Sequence, residues 1–402
     1  MSMIRGWCPS LFEPMASGDG LLLRIKPFAS RLTSGAARQV AEAAGRFGNG
    51  AIELTNRGNL QLRGFTESSA AVFAREAVDG GLALADPAAE RRRNVQVSAL
   101  EGDDPACDAT TLAVARALEA LVLADDRLDA LPGKFGFAVD GGGSLPLEGV
   151  PADITLRSAG GGWHVEAGGA TGACTAEDAP SHAHRLAIAA LGLPADTRPS
   201  RQAGCGAMLF QAAGLAHAAA PALPGGHQVP VGELGHGAFG IGVPPGRLDR
   251  TLLLMLAELA DRLGDGMLRL TPWRAILLGG LSDEALAAVR HGLAGQLIDP
   301  ADPRLRSVAC IGKAGCVHGS VDAPHDAARL GARLPPGLEL HVAGCAKGCA
   351  HPGPAPLTLV GRDGRYDLVL DGRAGDPAIR HGLTFVQALE LVQQTRPAER
   401  AA

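Results

Sequence analysis

Aromatic side chains are scarce in this chain of 402 residues, at 3%, while hydrophobic residues reach 46%. The interior must therefore be packed mainly from alanine, leucine and valine, and the length allows two or three domains with a sizeable core. No apolar run approaches the roughly 18 residues that a membrane-crossing helix needs. The opening residues Met1-Ser2-Met3-Ile4-Arg5-Gly6-Trp7-Cys8-Pro9 contain no apolar segment of the secretory kind, so a cytoplasmic protein with free thiols is expected. A formal net charge of −5 supplies no basic field for nucleic acid, and Arg91-Arg92-Arg93 is too short to make a local one. Nucleotide fingerprints are missing as well. Gly141-Gly142-Gly143 and Gly160-Gly161-Gly162 lack the Lys-Ser/Thr of a phosphate loop and the helix that should follow, so both read as turns. Any electrons the chain uses must then come from a separate reductase or ferredoxin.

What the chain does have is an internal repeat. Gly48-Asn49-Gly50-Ala51-Ile52-Glu53-Leu54-Thr55-Asn56-Arg57 recurs 216 residues later as Gly264-Asp265-Gly266-Met267-Leu268-Arg269-Leu270-Thr271-Pro272-Trp273. At the same offset Leu60, Leu62 and Gly64 fall on Ile276, Leu278 and Gly280, and Leu23 and Ile25 fall on Phe239 and Ile241. Both copies read as strand, amphipathic helix (Ser34 to Phe47; Leu248 to Leu263), strand. A second pair of segments, Ala152 to Gly169 and Ala355 to Gly372, repeats at an offset of 203 and reads as a β-hairpin each time. Carried upstream, that offset puts Phe135, Phe137 and Val139 on Leu338, Leu340 and Val342, and Gly142 on Cys345. The expected organisation is an α+β chain of two related halves. Residues 1–75 and 227–297 form paired half domains, 76–211 and 298–402 form an α/β domain in each half, and the Ala/Pro/Gly-rich 212–226 links the halves.

Cysteines carry the chemistry. Cys310-x5-Cys316 and Cys345-x3-Cys349 stand among glycine and alanine, where backbone N–H groups can crowd round sulfur and lower the energy of a negatively charged iron-sulfur cube. Three other readings stay open. Disulfides are disfavoured without a secretory signal, tetrahedral zinc prefers C-x2-4-C spacing, which only the second pair meets, and the thiols could be unrelated. Only the second half keeps these residues. Cys107, Cys174 and Cys205 share no spacing and read as ordinary packed or exposed thiols, as does Cys8.

Taken together, the repeat and the C-x5-C, C-x3-C pattern resemble the siroheme-dependent nitrite and sulfite reductase family over nearly the whole chain. The resemblance implies ferredoxin-like half domains paired about a pseudo-twofold axis, with one α/β domain in each half. It also implies a 4Fe-4S cluster on Cys310, Cys316, Cys345 and Cys349. Family motifs put Arg57 and Gln61, in Leu54-Thr55-Asn56-Arg57-Gly58-Asn59-Leu60-Gln61, at anion-binding positions, with Arg93 of Arg93-Asn94-Val95 and Lys134 of Lys134-Phe135 beside them. Tetrapyrroles are fringed by acetates and propionates, so a pocket for one needs such cations, although each alone is as readily a solvated surface residue. Arg24, Lys26, Arg63 and Arg274 flank the same strand ends and are weaker candidates.

One departure from the pattern matters. Two residues after Lys134 the sulfite reductases carry a second lysine that helps to hold the small oxyanion, and here that position is Gly136. A less charged lining suits a pocket in which the tetrapyrrole is itself the substrate and dioxygen the second reactant. The opening Arg5-Gly6-Trp7-Cys8-Pro9 with Pro14-Met15 and Gly18 to Leu22, and Leu270-Thr271-Pro272-Trp273-Arg274, resemble the branch of the family that acts on corrin precursors. That resemblance implies oxygenation of precorrin-3A at C20 with closure of a γ-lactone, electrons relayed by the cluster, and a mononuclear non-haem iron held by histidine and carboxylate. The alternative is a siroheme-dependent nitrite or sulfite reductase, and a non-catalytic tetrapyrrole or cluster carrier stays open as a third reading. Ligands for a mononuclear iron are not legible. His182 and His184 read as a helix-surface pair, and His217, His227 and His236 are candidates only by their place between the halves.

Overall fold

The computed structural model describes residues 9–194, 197–202, 204–222 and 229–396. Cys8, His227 and positions 223–226 of the expected linker lie outside them, and the helix Gly206–Ala213 reaches into the start of that segment.

Two antiparallel sheets make up the centre. In spatial order the first holds Met15–Ser17, Gly20–Ile25, Leu60–Phe65, Ala51–Leu54 and Arg247–Asp249, and the second holds Gly232–Gly235, Ala238–Gly242, Ala275–Leu278, Met267–Leu270 and Arg31–Thr33. The repeat is exact at the level of pairing. Leu23 faces Leu62 and Ile25 faces Leu60, as Phe239 faces Leu278 and Ile241 faces Ile276. Each sheet also borrows its last strand from the other half: Arg247 pairs with Glu53 and Arg31 with Arg269. This exchange explains why the second helix begins at Arg250 and not at Leu248. Leu248 belongs to the exchanged strand, and Asp249 caps the helix by accepting from Leu252 N–H at 2.8 Å. The helices Ser34–Phe47 and Arg250–Leu263 bury their apolar faces on one shared core, built from Val40, Ala41, Ala44, Leu253, Leu256 and Ala257 with both sheets.

Each half then carries an α/β sheet of one topology. In the first, Val95–Val97, Phe137–Asp140 and Ile154–Ala159 run parallel, followed antiparallel by Gly162–Ala167 and Ala170–Cys174. In the second, Ser307–Ala309, Leu340–Ala343 and Ala355–Arg362 run parallel, followed by Arg365–Gly372 and Arg380–Leu383. Their hairpin turns need left-handed residues and have them, Gly160 and Gly161 in one and Asp363 and Gly364 in the other. Among the described residues no helix is long and apolar enough to cross a membrane.

Candidate functional site

In open α/β sheets, binding sites form beyond the carboxyl ends of parallel strands, and both cysteine pairs emerge there. Cys310 directly follows the strand ending at Ala309, and Cys345 follows the one ending at Ala343 by two residues. Cys310 N–H donates to Val342 O at 3.4 Å, and Gly344 N–H donates to Cys310 Sγ at 3.0 Å. A Cβ on Gly344 would lie 2.9 Å from Gly312 Cα and 3.2 Å from Cys310 Sγ, so only glycine lets the two loops close round the sulfur. Burial pushes the Cys349 thiol up, and Cys345, Cys310 and Cys316 push it further. Burial likewise raises Cys310, where the N–H groups of Gly344 and Gly312 oppose it and Cys345 and Cys316 add to it. Four soft donors within electrostatic reach of one another, on glycine-lined loops with an N–H aimed at sulfur, fit an iron-sulfur cube. Among the described residues no three His, Cys, Asp or Glu side chains meet as ligands of a single metal ion. His184 is taken up by Asp125 at 2.9 Å, His217 stacks on Phe210, and His236 lies 3.7 Å from Asp104.

The first half shows what the site is without cysteine. Ser98 N–H donates to Val139 O at 3.1 Å, and Gly141 N–H donates to Ser98 Oγ at 2.9 Å, the same two bonds that Cys310 makes with Val342 and Gly344. Ser98 thus takes the place of Cys310, and Gly142 that of Cys345. Cys107, which sequence spacing leaves unassigned, packs near this loop with its thiol pushed up to about 11 by burial. Burial similarly holds Cys174 at about 11.

The loop carrying Cys316 is gripped by the opposite half. The carbonyl of Gly315, next to Cys316, accepts from Gly18 N–H at 3.0 Å, from Ser17 Oγ at 2.6 Å and from Arg63 Nη2 at 3.3 Å. Arg63 is itself held in a fork by Asp19, with Nε and Nη2 each 2.9 Å from a carboxylate oxygen. Burial raises the Asp19 carboxyl, but the Arg63 bond and charge outweigh it and hold it below its ordinary value. Arg63 is therefore a structural clamp and not an open anion site.

Beside the cysteines lies a cleft of about 360 Å³, lined by Arg24, Glu53, Gln61, Arg247, Arg274 and Cys349 among others, with Cys310 at its edge. Gln61 is fixed on both sides: Arg24 Nη2 donates to its carbonyl oxygen, and its own amide donates to Glu53 at 2.9 Å. Arg247 went unnoticed in the sequence because it enters only through strand exchange. The equivalent position in the other half is Arg31, paired with Glu101 at 2.9 Å, and Arg269 beside it meets Asp103 at 2.7 Å. Acidic residues on the loop after Val97 neutralise these two arginines, whereas the corresponding loop after Ala309 brings cysteines.

The remaining expected anion-binding residues divide. Arg57 donates to the carbonyl of Lys134 at 2.8 Å, which brings those two together, though neither lines the cleft. Arg93 turns away into a buried pair with Glu90 at 2.8 Å and does not line the cleft, and Lys26 donates to the Glu90 and Arg91 carbonyls. At Gly136 a Cβ would come 2.7 Å from Asn94 Nδ2, which is committed to Phe135 O at 2.7 Å.

The family model for the nitrite/sulfite reductase ferredoxin-like half domain matches residues 13–78 and 233–296. A ferredoxin-nitrite reductase of Synechococcus elongatus is 26% identical, covering 92% of this chain and 83% of its own. The solved NirA protein of Mycobacterium tuberculosis superposes with a TM-score of 0.67 at 17% identity, over 93% of this chain and 79% of its own. The chain belongs to the nitrite/sulfite reductase family. Within it, the chain is 35% identical to a precorrin-3B synthase of Sinorhizobium, covering 93% of this chain and 84% of that one.

Proposed function

We propose that the protein is an oxidoreductase of aerobic cobalamin biosynthesis that converts precorrin-3A to precorrin-3B. Dioxygen provides a hydroxyl at C20, the ring A acetate closes a γ-lactone, and the second oxygen atom leaves as water. Two electrons and two protons are therefore needed, and a separate reductase or ferredoxin supplies the electrons. Cys310, Cys316, Cys345 and Cys349 would hold a 4Fe-4S cluster, which when bound passes single electrons. Such a cluster and free thiols fit a reducing, cytoplasmic setting.

The observation that carries this reading is the cleft itself, where arginines and Gln61 share one wall with Cys310 and Cys349. Arginines suit the carboxylate fringe of a tetrapyrrole by bidentate bonding. Arg57 and Lys134, joined through the Lys134 carbonyl and outside the cleft lining, would hold further carboxylates. Gln61, pinned by Arg24 and Glu53, would orient the ring. Gly136 supplies no second cation after Lys134, which weighs against an oxyanion reductase. Whole-length likeness to a precorrin-3B synthase supports the same choice. Sulfite reductase haemoproteins of Xylella fastidiosa, at 31% identity, cover only 35% of this chain.

An anaerobic preparation analysed for acid-labile sulfide and extractable tetrapyrrole tests the reading. Sulfide at cluster stoichiometry, with a broad brown absorption and no bound tetrapyrrole, is expected. A stoichiometric siroheme with its Soret band would instead make the tetrapyrrole a prosthetic group and the protein a reductase.

A further inference from the structure

Arg274 sits where the backbone asks for glycine. Its φ is 57°, in the left-handed region, and the residue 216 positions earlier in the repeat is Gly58, with φ 62°. The two turns are closed by the same bond, Thr55 N–H to Asn59 O at 2.9 Å and Thr271 N–H to Ala275 O at 3.0 Å. One turn with one geometry therefore holds glycine in one half and a strained arginine in the other. Strain of this kind persists where a side chain serves a function.

The arginine's surroundings indicate what it serves. Its side chain runs along Gly246, where a Cβ would lie 3.4 Å from Arg274 Cδ, and it lines the cleft with Arg24, Arg247 and Cys349. Among the described residues no carboxylate lies within ion-pairing distance of Arg274. Glu53, the cleft's carboxylate, is shared by Gln61 at 2.9 Å, Arg63 at 3.4 Å and Arg247 at 3.9 Å. The cluster end of the cleft thus holds more positive than negative charge, and an anion is the group that would balance it. Burial independently lowers the Arg274 pKa, in line with a guanidinium short of both water and a counter-charge.

We infer that Arg274 is a specificity residue that grips an acetate or propionate carboxylate of the tetrapyrrole at the cluster end of the cleft, a role that rests on the function proposed above.

Titration of the full-length protein with uroporphyrin III, an eight-carboxylate tetrapyrrole, tests this against Arg274→Gly, Arg274→Lys and Arg57→Ala. Arg274→Gly is expected to weaken binding at least tenfold while its thermal midpoint holds or rises, because glycine relaxes the turn. Arg274→Lys, which keeps the charge but loses the bidentate fork, should fall between it and the wild type. Unchanged binding in Arg274→Gly, with Arg57→Ala weakened, would overturn the role of Arg274 and leave the tetrapyrrole site standing. A lowered midpoint in Arg274→Gly would overturn it too, by showing the arginine to be structural. If the wild type binds no uroporphyrin, the tetrapyrrole reading and this inference fall together.

Discussion

A cation's sequence motif does not reveal which carboxylate it will meet. Arg57 and Arg93 look alike as motif residues, yet the fold anchors the first by the Lys134 carbonyl and buries the second against Glu90. Their truncations should therefore differ in kind. Arg57→Ala should weaken tetrapyrrole binding by roughly 1.5 to 3 kcal/mol, the worth of a hydrogen bond to a charged group, with little change in unfolding free energy. Arg93→Ala should cost roughly 3 to 5 kcal/mol of stability, because it leaves the Glu90 carboxylate buried without its partner. Denaturant unfolding beside ligand titration separates the two, and a stable Arg93→Ala that has lost binding would return that residue to the site. The cysteines are simpler. Cys345→Ala should lose the brown absorption and most of the bound iron, since three thiolates seldom retain a cube against solvent. Iron and sulfide at wild-type levels in that variant would remove Cys345 from the ligand set.

At the scale of elements, the hairpin Met15–Ser17 to Gly20–Ile25, through Ser17 and Gly18, and Arg63 of the adjacent strand Leu60–Phe65 close on the cysteine loop of the other half. Removing the Arg63 fork should loosen the loop that carries Cys316. Arg63→Ala is expected to release iron to a chelator several times faster than wild type, and equal release rates would show that the clamp does not hold the cluster. The pH dependence follows from Asp19. Its carboxyl titrates below its ordinary value, so the pair's contribution is complete above that value and is lost as pH falls through the lowered one. Iron release should accelerate below about pH 4 in wild type, and Asp19→Asn should flatten that acid limb. The clamp was not legible in the sequence, because its members are separated by up to 298 residues and meet only through the packing of halves. Strand exchange was hidden for a related reason. The sequence pattern runs Leu248 into the helix that follows, and nothing in it says that Arg247–Asp249 forms a strand or which sheet that strand joins.

On the scale of the whole molecule, the duplication was readable because glycines and apolar positions recur at constant offsets, and the pairing registers of the two central sheets follow those offsets residue for residue. Spacing also picked out the two cysteine pairs, which the fold sets beyond the ends of two adjacent parallel strands. What the sequence hid was the difference between the halves: Ser98 standing for Cys310, and Glu101 and Asp103 neutralising Arg31 and Arg269. The proposed site therefore lies on the cysteine-bearing side alone. The account makes that site an oxygenase, and isotope labelling tests it most directly. Incubated with precorrin-3A, an electron donor and labelled dioxygen, the protein should form a product heavier by one labelled oxygen atom, carried in the new C20 hydroxyl and absent from the lactone ring. Label entering from water, or steady formation of sulfide or ammonia when sulfite or nitrite is supplied, would contradict it.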